Sequence, residues 1–224
     1  MCDIQIQHIQ KYYRKNCVLQ DVSLQADYGS CVGILGSNGS GKSTLLSVLA
    51  GVSACKKGSF LCEGKDLLRD TKERSRIVGY VPQSIPLLEE LTAKDNLSLW
   101  YDRKTLKREL ESGMLQVLGI SDFLNVPVNK MSGGMKKRLS IGCAIADDPK
   151  ILLLDEPSAA LDLVCKEKLY QYFDLFKKQG GLLILATHDM KELSLCDAWY
   201  ILKDGYLQSY EYRGDLRELV ERLS

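Results

Sequence analysis

The sequence predicts an α/β domain whose core is a mostly parallel sheet, entered through an antiparallel β segment and interrupted by an inserted α-helical segment. Three observations carry this. Gly36 to Thr44 is a glycine-rich turn between the apolar run Cys31 to Leu35 and the helix-like Leu45 to Ala50. Ile151 to Leu154 and Leu182 to Ala186 are unbroken apolar runs, the composition of strands buried on both faces. From residue 84 to Ile151 no strand signal occurs.

In chain order, Asp3 to Ile9 and Val18 to Ala26 alternate polar and apolar residues, which predicts antiparallel strands with one wet face. His8, inside the first of these, reads as a surface residue. Tyr12 and Tyr13 lie between the strands, and Tyr13 is the candidate to stack on a nucleobase. After the Gly29-Ser30 turn, Cys31 to Leu35 feeds the segment Gly36, Ser37, Asn38, Gly39, Ser40, Gly41, Lys42, Ser43, Thr44. Its glycines let backbone N–H groups turn inward, the following helix presents its positive end, and Lys42 adds a full charge, which together form a cradle for phosphates. In this reading Lys42 contacts the outer phosphates, Ser43 gives its hydroxyl to a magnesium ion, and Thr44 lies beside the inner phosphate.

Ser59 to Cys62 is a short strand, and the charged stretch Lys65 to Arg76 reads as a solvated face. Ile77 to Val81 is a buried strand stopped by Pro82, leaving Gln83 at its C-terminal end, where its amide can touch both metal and water. Thr92 is suited to cap a helix, and Thr105 to Leu118 reads as a charged amphipathic helix. Ser132, Gly133 and Gly134 open a second helix, with a capping hydroxyl and two glycines that allow close approach of an anion. Two anion sites in one chain follow.

Ile151 to Leu154 ends in Asp155 and Glu156, suited respectively to orienting magnesium and polarising an attacking water. Leu182 to Ala186 delivers His188 to the same sheet edge, where an imidazole can bond the terminal phosphate and hold the water in line. Ala198 to Lys203 and Tyr206 to Tyr210 form a hairpin across Asp204-Gly205, and Asp215 to Leu223 a short amphipathic helix.

Composition narrows the classes. The 224 residues are 45% hydrophobic and 26% charged, with 30 basic against 29 acidic side chains, so no net field draws the chain to nucleic acid or an anionic membrane. No apolar run approaches the roughly 20 residues of a spanning helix, and Met1 to Tyr13 is not of secretory type. A cytoplasmic protein is expected. The eight cysteines include no C-x-x-C pair and read as small hydrophobes rather than metal ligands.

The order of these motifs resembles the nucleotide-binding subunit of ABC transporters across essentially the whole chain. Gly36 to Thr44 matches the P-loop, Gln83 the Q-loop, Met131 to Met135 the signature, Ile151 to Asp155 with Glu156 the Walker B segment, Ala159 to Asp162 the D-loop and His188 the switch histidine. The resemblance implies a P-loop NTPase fold with a RecA-like core (1–83 and 149–224) and a helical insertion (84–148) ending in the signature helix. It also implies ATP and Mg2+ as ligands, and a head-to-tail dimer with a second ABC ATPase subunit, each ATP held between one cradle and the other chain's signature. Met135 stands where glutamine is usual and Ala159 where serine is frequent. Ser-Gly-Gly-Met followed by basic residues looks like the drug, antibiotic and polymer exporter branch. The reading is therefore an ATPase held on the inner face of the membrane by an integral membrane permease, docking through the region Gln83 to Leu99 and powering export. The competing readings are a soluble ABC-type ATPase of cofactor assembly or regulation, and a non-hydrolysing scaffold, against which intact Lys42, Asp155, Glu156 and His188 weigh.

Overall fold

A computed structural model describes residues 3–84, 86–159, 161–211 and 221–222. The chain begins with β1 (Ile4–Tyr13) and β2 (Asn16–Ala26), paired antiparallel as their alternation requires. His8 sits at an irregularity in β1 with φ 53 and points to Asp21, its Nδ1 2.9 Å from Oδ1, a surface role as read. Then come β3 (Cys31–Leu35), α1 (Lys42–Ala50), β4 (Lys57–Cys62), β5 (Lys65–Asp66), α2 (Thr71–Ile77) and β6 (Val78–Val81). Most of α2 is exposed, its N-terminus capped by the Asp70 carboxylate. Ile77, expected to start a strand, instead closes α2.

Helices α3 (Ala93–Leu97), α4 (Arg103–Ser112), α5 (Met114–Val117) and α6 (Gly133–Ala144) lie between β6 and the next strand. Thr92 caps α3 through a reciprocal box with Asp95, and Ser132 caps α6. The single helix expected over Thr105 to Leu118 is two. Asp102 caps α4 two residues earlier than foreseen, and Gly113 ends it. There the Glu109 carboxylate folds back to accept from Met114 N–H at 3.0 Å, filling the space a Cβ on residue 113 would need. Strand pairing in this segment is limited, among the described residues, to one isolated bridge between Thr92 and Pro127.

The remaining elements are β7 (Ile151–Asp155), α7 (Leu163–Lys178), β8 (Leu182–Ala186), α8 (Met190–Leu195), β9 (Ala198–Lys203) and β10 (Tyr206–Tyr210). The last two form the expected hairpin. Of the helix expected at Asp215 to Leu223 only Glu221 and Arg222 fall within the described residues.

Ten strands align as β5-β4-β1-β2-β10-β9-β3-β8-β7-β6. The β9-β3-β8-β7-β6 portion is parallel, and the β5-β4-β1-β2 end is antiparallel. Every residue of β3, β7 and β8 is buried, because the sheet has a core on each face. Leu152, Leu154, Leu183 and Leu185 pack with the α3 to α7 side, whereas Ile151, Leu153, Leu182 and Ile184 pack with α1 and the antiparallel strands. The strand period of two thus divides each apolar run between two cores. The parallel register aligns Val81, Leu154 and Leu185 in successive strands, so residues just beyond them share one sheet edge.

Candidate active site

That edge gathers the chemistry. β3 leads into the glycine-rich turn and α1 leaves it with Lys42 as its first residue. Gly36 is required by space, since a Cβ there would lie 2.6 Å from the Leu202 carbonyl oxygen. Gly41 is required by backbone, with φ 108. Lys42 is 6% exposed, and its Nζ donates to the carbonyls of Gly36 at 2.6 Å and Ser37 at 3.1 Å. The lysine therefore laces the turn to itself. Burial lowers its pKa, opposed by Glu156 and Asp155.

Asp155 closes β7 and is almost wholly buried. Burial raises its carboxyl pKa, and a hydrogen bond from the Ser43 hydroxyl acts against that. Glu156 follows with φ 46, a left-handed turn that swings it off the strand, while its N–H donates to the Ala186 carbonyl at 2.8 Å. Gln83 Nε2 donates to Glu156 Oε2 at 3.1 Å. His188 Nε2 stands 3.8 Å from Glu156 Oε1. Burial first, then Lys42, lowers the histidine pKa, which favours a neutral imidazole near pH 7.

One open cleft of about 670 Å³ is lined by Tyr13, Asn38, Gly39, Gly41, Lys42, Ser43, Thr44, Gln83, Glu156 and His188. Gly36, Ser37 and Ser40 shape the turn behind it; Ser37 and Ser40 face an adjoining cleft that also takes in Asn38 and Gly39. The Ser43 hydroxyl, the Asp155 carboxylate and the Gln83 amide are hard oxygen donors, the kind Mg2+ accepts when phosphates supply its remaining ligands. Among the described residues no group of three or more His, Cys, Asp or Glu could hold a metal without such help.

Ser132, Gly133 and Gly134 are not among this cleft's lining. The Ser132 Oγ accepts from Met135 N–H at 3.2 Å, Gly133 faces open space, and a Cβ on Gly134 would lie 2.8 Å from Cys165 Sγ. The second helix start is thus formed but stands apart from the first.

Tyr13 is 49% exposed at the cleft, with Lys11 Nζ 4.8 Å above its ring. Removing the ring in Tyr13→Ala should weaken ATP binding by about 5- to 100-fold, the range of a stacked base. Calorimetric titration of ATP checks this, and an unchanged affinity would remove Tyr13 from the site. Lys137 was not distinguishable by sequence, where it is one of three consecutive basic residues on a helix. In the structure it is buried behind the site.

Residues 19–159 match the family described as "ABC transporter". The chain belongs to the ABC transporter family. It is the ATP-binding, ATP-hydrolysing cassette of that family. The cassette is 30% identical over 220 residues to the linearmycin resistance ATP-binding protein LnrL of Bacillus subtilis, covering 95% of this chain and 70% of that one. It is 34% identical to the methionine import ATP-binding protein MetN of Clostridioides difficile, covering 98% and 70%. It is 33% identical to the spermidine/putrescine import ATP-binding protein PotA of Bacteroides thetaiotaomicron, covering 92% of this chain but only 45% of PotA. Among solved structures, the ATP-binding cassette MJ0796 in a dimeric post-hydrolysis state bound to ADP and Pi superposes with a TM-score of 0.83 at 29% identity, over 95% of this cassette and 100% of that chain.

Proposed function

We propose that two copies of this cassette, or one copy and a related subunit, close on ATP and Mg2+ and use its hydrolysis to drive a separate membrane permease, with export as the direction. One observation carries the reading. Lys42, Gln83, Glu156 and His188 share a single cleft, while a second capped helix N-terminus, at Ser132 to Gly134, stands outside it as half of another phosphate site. The dimeric post-hydrolysis state of the MJ0796 cassette, bound to ADP and Pi, supports this arrangement.

In that sandwich Lys42 and the turn's N–H groups bind the phosphates, and Ser43, Asp155 and Gln83 would hold a magnesium ion, which would supply charge to offset that of the phosphates. Glu156 takes the proton of the attacking water, oriented by its bond to Gln83. Neutral His188 donates to the terminal phosphate. The partner's Ser132, Gly133 and Gly134 cover the triphosphate from the other side. Dimer closure is then favoured by ATP and lost after hydrolysis.

For the permease, no helix among the described residues is long and apolar enough to cross a membrane. A groove of about 460 Å³ opens beside β6, lined by Arg76, Tyr80, Leu88, Leu99, Trp100 and Asp147 among others, with Leu99 and Trp100 each 60% exposed. Apolar rings and leucines rimmed by both charges suit a short amphipathic segment of a membrane subunit. Export rests on the Ser-Gly-Gly-Met pattern and on relatives such as the Nod factor export ATP-binding protein I of Rhizobium etli, although import proteins stand beside them.

Purification of the ATP-loaded cassette from detergent-solubilised membranes should bring with it a polytopic membrane protein. The double substitution Leu99→Glu and Trp100→Glu should abolish that association and leave ATP binding intact. Inside-out vesicles carrying the pair should accumulate cargo on adding ATP, whereas ATP-driven loss of cargo from them would reverse the assigned direction.

A further inference from the structure

Lys137 lies one turn inside α6, the helix whose N-terminus is formed by Ser132, Gly133 and Gly134. It is 4% exposed, yet it makes no ion pair within 4 Å among the described residues. Its Nζ instead makes long hydrogen bonds to two main-chain carbonyls of the core, Pro82 at 3.4 Å and Asp155 at 3.5 Å. Those carbonyls belong to the peptide units that continue into Gln83 and Glu156. The two residues downstream are the pair joined by the 3.1 Å side-chain bond in the cleft.

The Asp155–Glu156 peptide is consequently held at both ends. Its carbonyl accepts from Lys137, and its N–H donates to the Ala186 carbonyl at 2.8 Å. A peptide unit is a rigid plane, so fixing both polar atoms fixes its rotation. Glu156 departs from that plane with φ 46, a conformation that persists only where its surroundings over-determine it. Burial lowers the pKa of this ammonium, opposed by the carboxylates of Asp155, Glu192 and Glu156. The next residue, Arg138, points elsewhere, donating to the carbonyls of Leu118 at 2.8 Å and Gly119 at 3.3 Å.

We infer that Lys137 is a positioning residue through which engagement of the α6 N-terminus sets the carboxylate of Glu156 in the same chain. The inference rests on the sandwich dimer proposed above. In that dimer α6 of one chain meets the ATP held by the other, and a helix moves as a rod. Displacement of its first turn by the partner-bound triphosphate is carried to Lys137 one turn further on, and from there to the peptide that aims Glu156. Each ATP site thereby reports its occupancy to the other, and hydrolysis becomes cooperative in ATP.

The test uses the full chain with Lys137→Met, Lys137→Gln and Lys137→Arg, reading turnover against ATP concentration beside ATP-driven dimer formation in the Glu156→Gln background. Wild type should show a Hill coefficient above 1, toward the limit of about 2 set by two sites. Lys137→Met should lower kcat roughly tenfold or more, as misplacement of a catalytic group does. It should also bring the Hill coefficient to about 1 with KM for ATP within about threefold, while the ATP-bound dimer still forms. Lys137→Arg, whose fork of donors can reach both carbonyls, should restore most of the turnover and cooperativity. If Lys137→Met does not fold by circular dichroism, Lys137→Gln serves the same comparison. A wild-type Hill coefficient of 1, or one unmoved in the folded neutral variants, overturns the inference while a persistent ATP dimer leaves the sandwich standing. Absence of any ATP dimer overturns the sandwich itself, and this inference with it.

Discussion

Glu156→Gln should slow ATP turnover by about 10²- to 10⁴-fold, the usual cost of losing a general base, and leave ATP binding in place. Gln is isosteric with Glu, so the cleft keeps its shape and an oxygen remains for the Gln83 Nε2 that now donates at 3.1 Å. What vanishes is the capacity to accept a proton from water. The negative charge beside the terminal phosphate vanishes too, which relieves repulsion in the ATP-loaded state. The same variant should therefore accumulate as an ATP-bound dimer, seen as a shift in elution on size-exclusion chromatography with Mg2+ and ATP present. Phosphate release at the wild-type rate would show that another group activates the water, and the 3.8 Å neighbour His188 would be the next to test.

Lys42→Ala should weaken ATP binding by roughly 10- to 10²-fold, because each charge-assisted hydrogen bond to phosphate contributes on the order of 1.5 to 3 kcal/mol. Two effects add here. The phosphates lose their only full positive charge from the turn, and the carbonyls of Gly36 and Ser37 lose the ammonium that joins them at 2.6 and 3.1 Å. The first effect acts on the bound state and the second on the empty turn. Calorimetric titration with a non-hydrolysable ATP analogue reads the affinity, and a thermal melt separates loss of binding from loss of fold. Unchanged affinity would mean that backbone N–H groups alone hold the triphosphate.

Much of this site was legible in the sequence because it is local. The turn Gly36 to Thr44 lies between a strand and a helix, and the buried strands β7 and β8 are apolar runs followed closely by Glu156 and His188, which line the cleft. Parallel pairing then aligns those ends without further instruction. What escaped were contacts made across the fold. The bond from Gln83 to Glu156 spans 73 positions and exists because β6 and β7 are neighbours, which neither strand's composition states. The buried end of Lys137 depends on how α6 packs over two strand ends, whereas its sequence neighbourhood of Lys136 and Arg138 carries no such mark. The break at Gly113 is similar: helical spacing continues through it, but the Glu109 side chain competes for the Met114 N–H and wins.

The lacing of the glycine-rich turn by its own lysine bears on how fast guests come and go. A turn whose Gly36 and Ser37 carbonyls are already held by its own lysine has little to reorganise on arrival, so uptake amounts to an exchange of neighbours around one ammonium. Entry should then be fast, with no slow isomerisation before it, and dwell time should be set by how long the covering half stays in place.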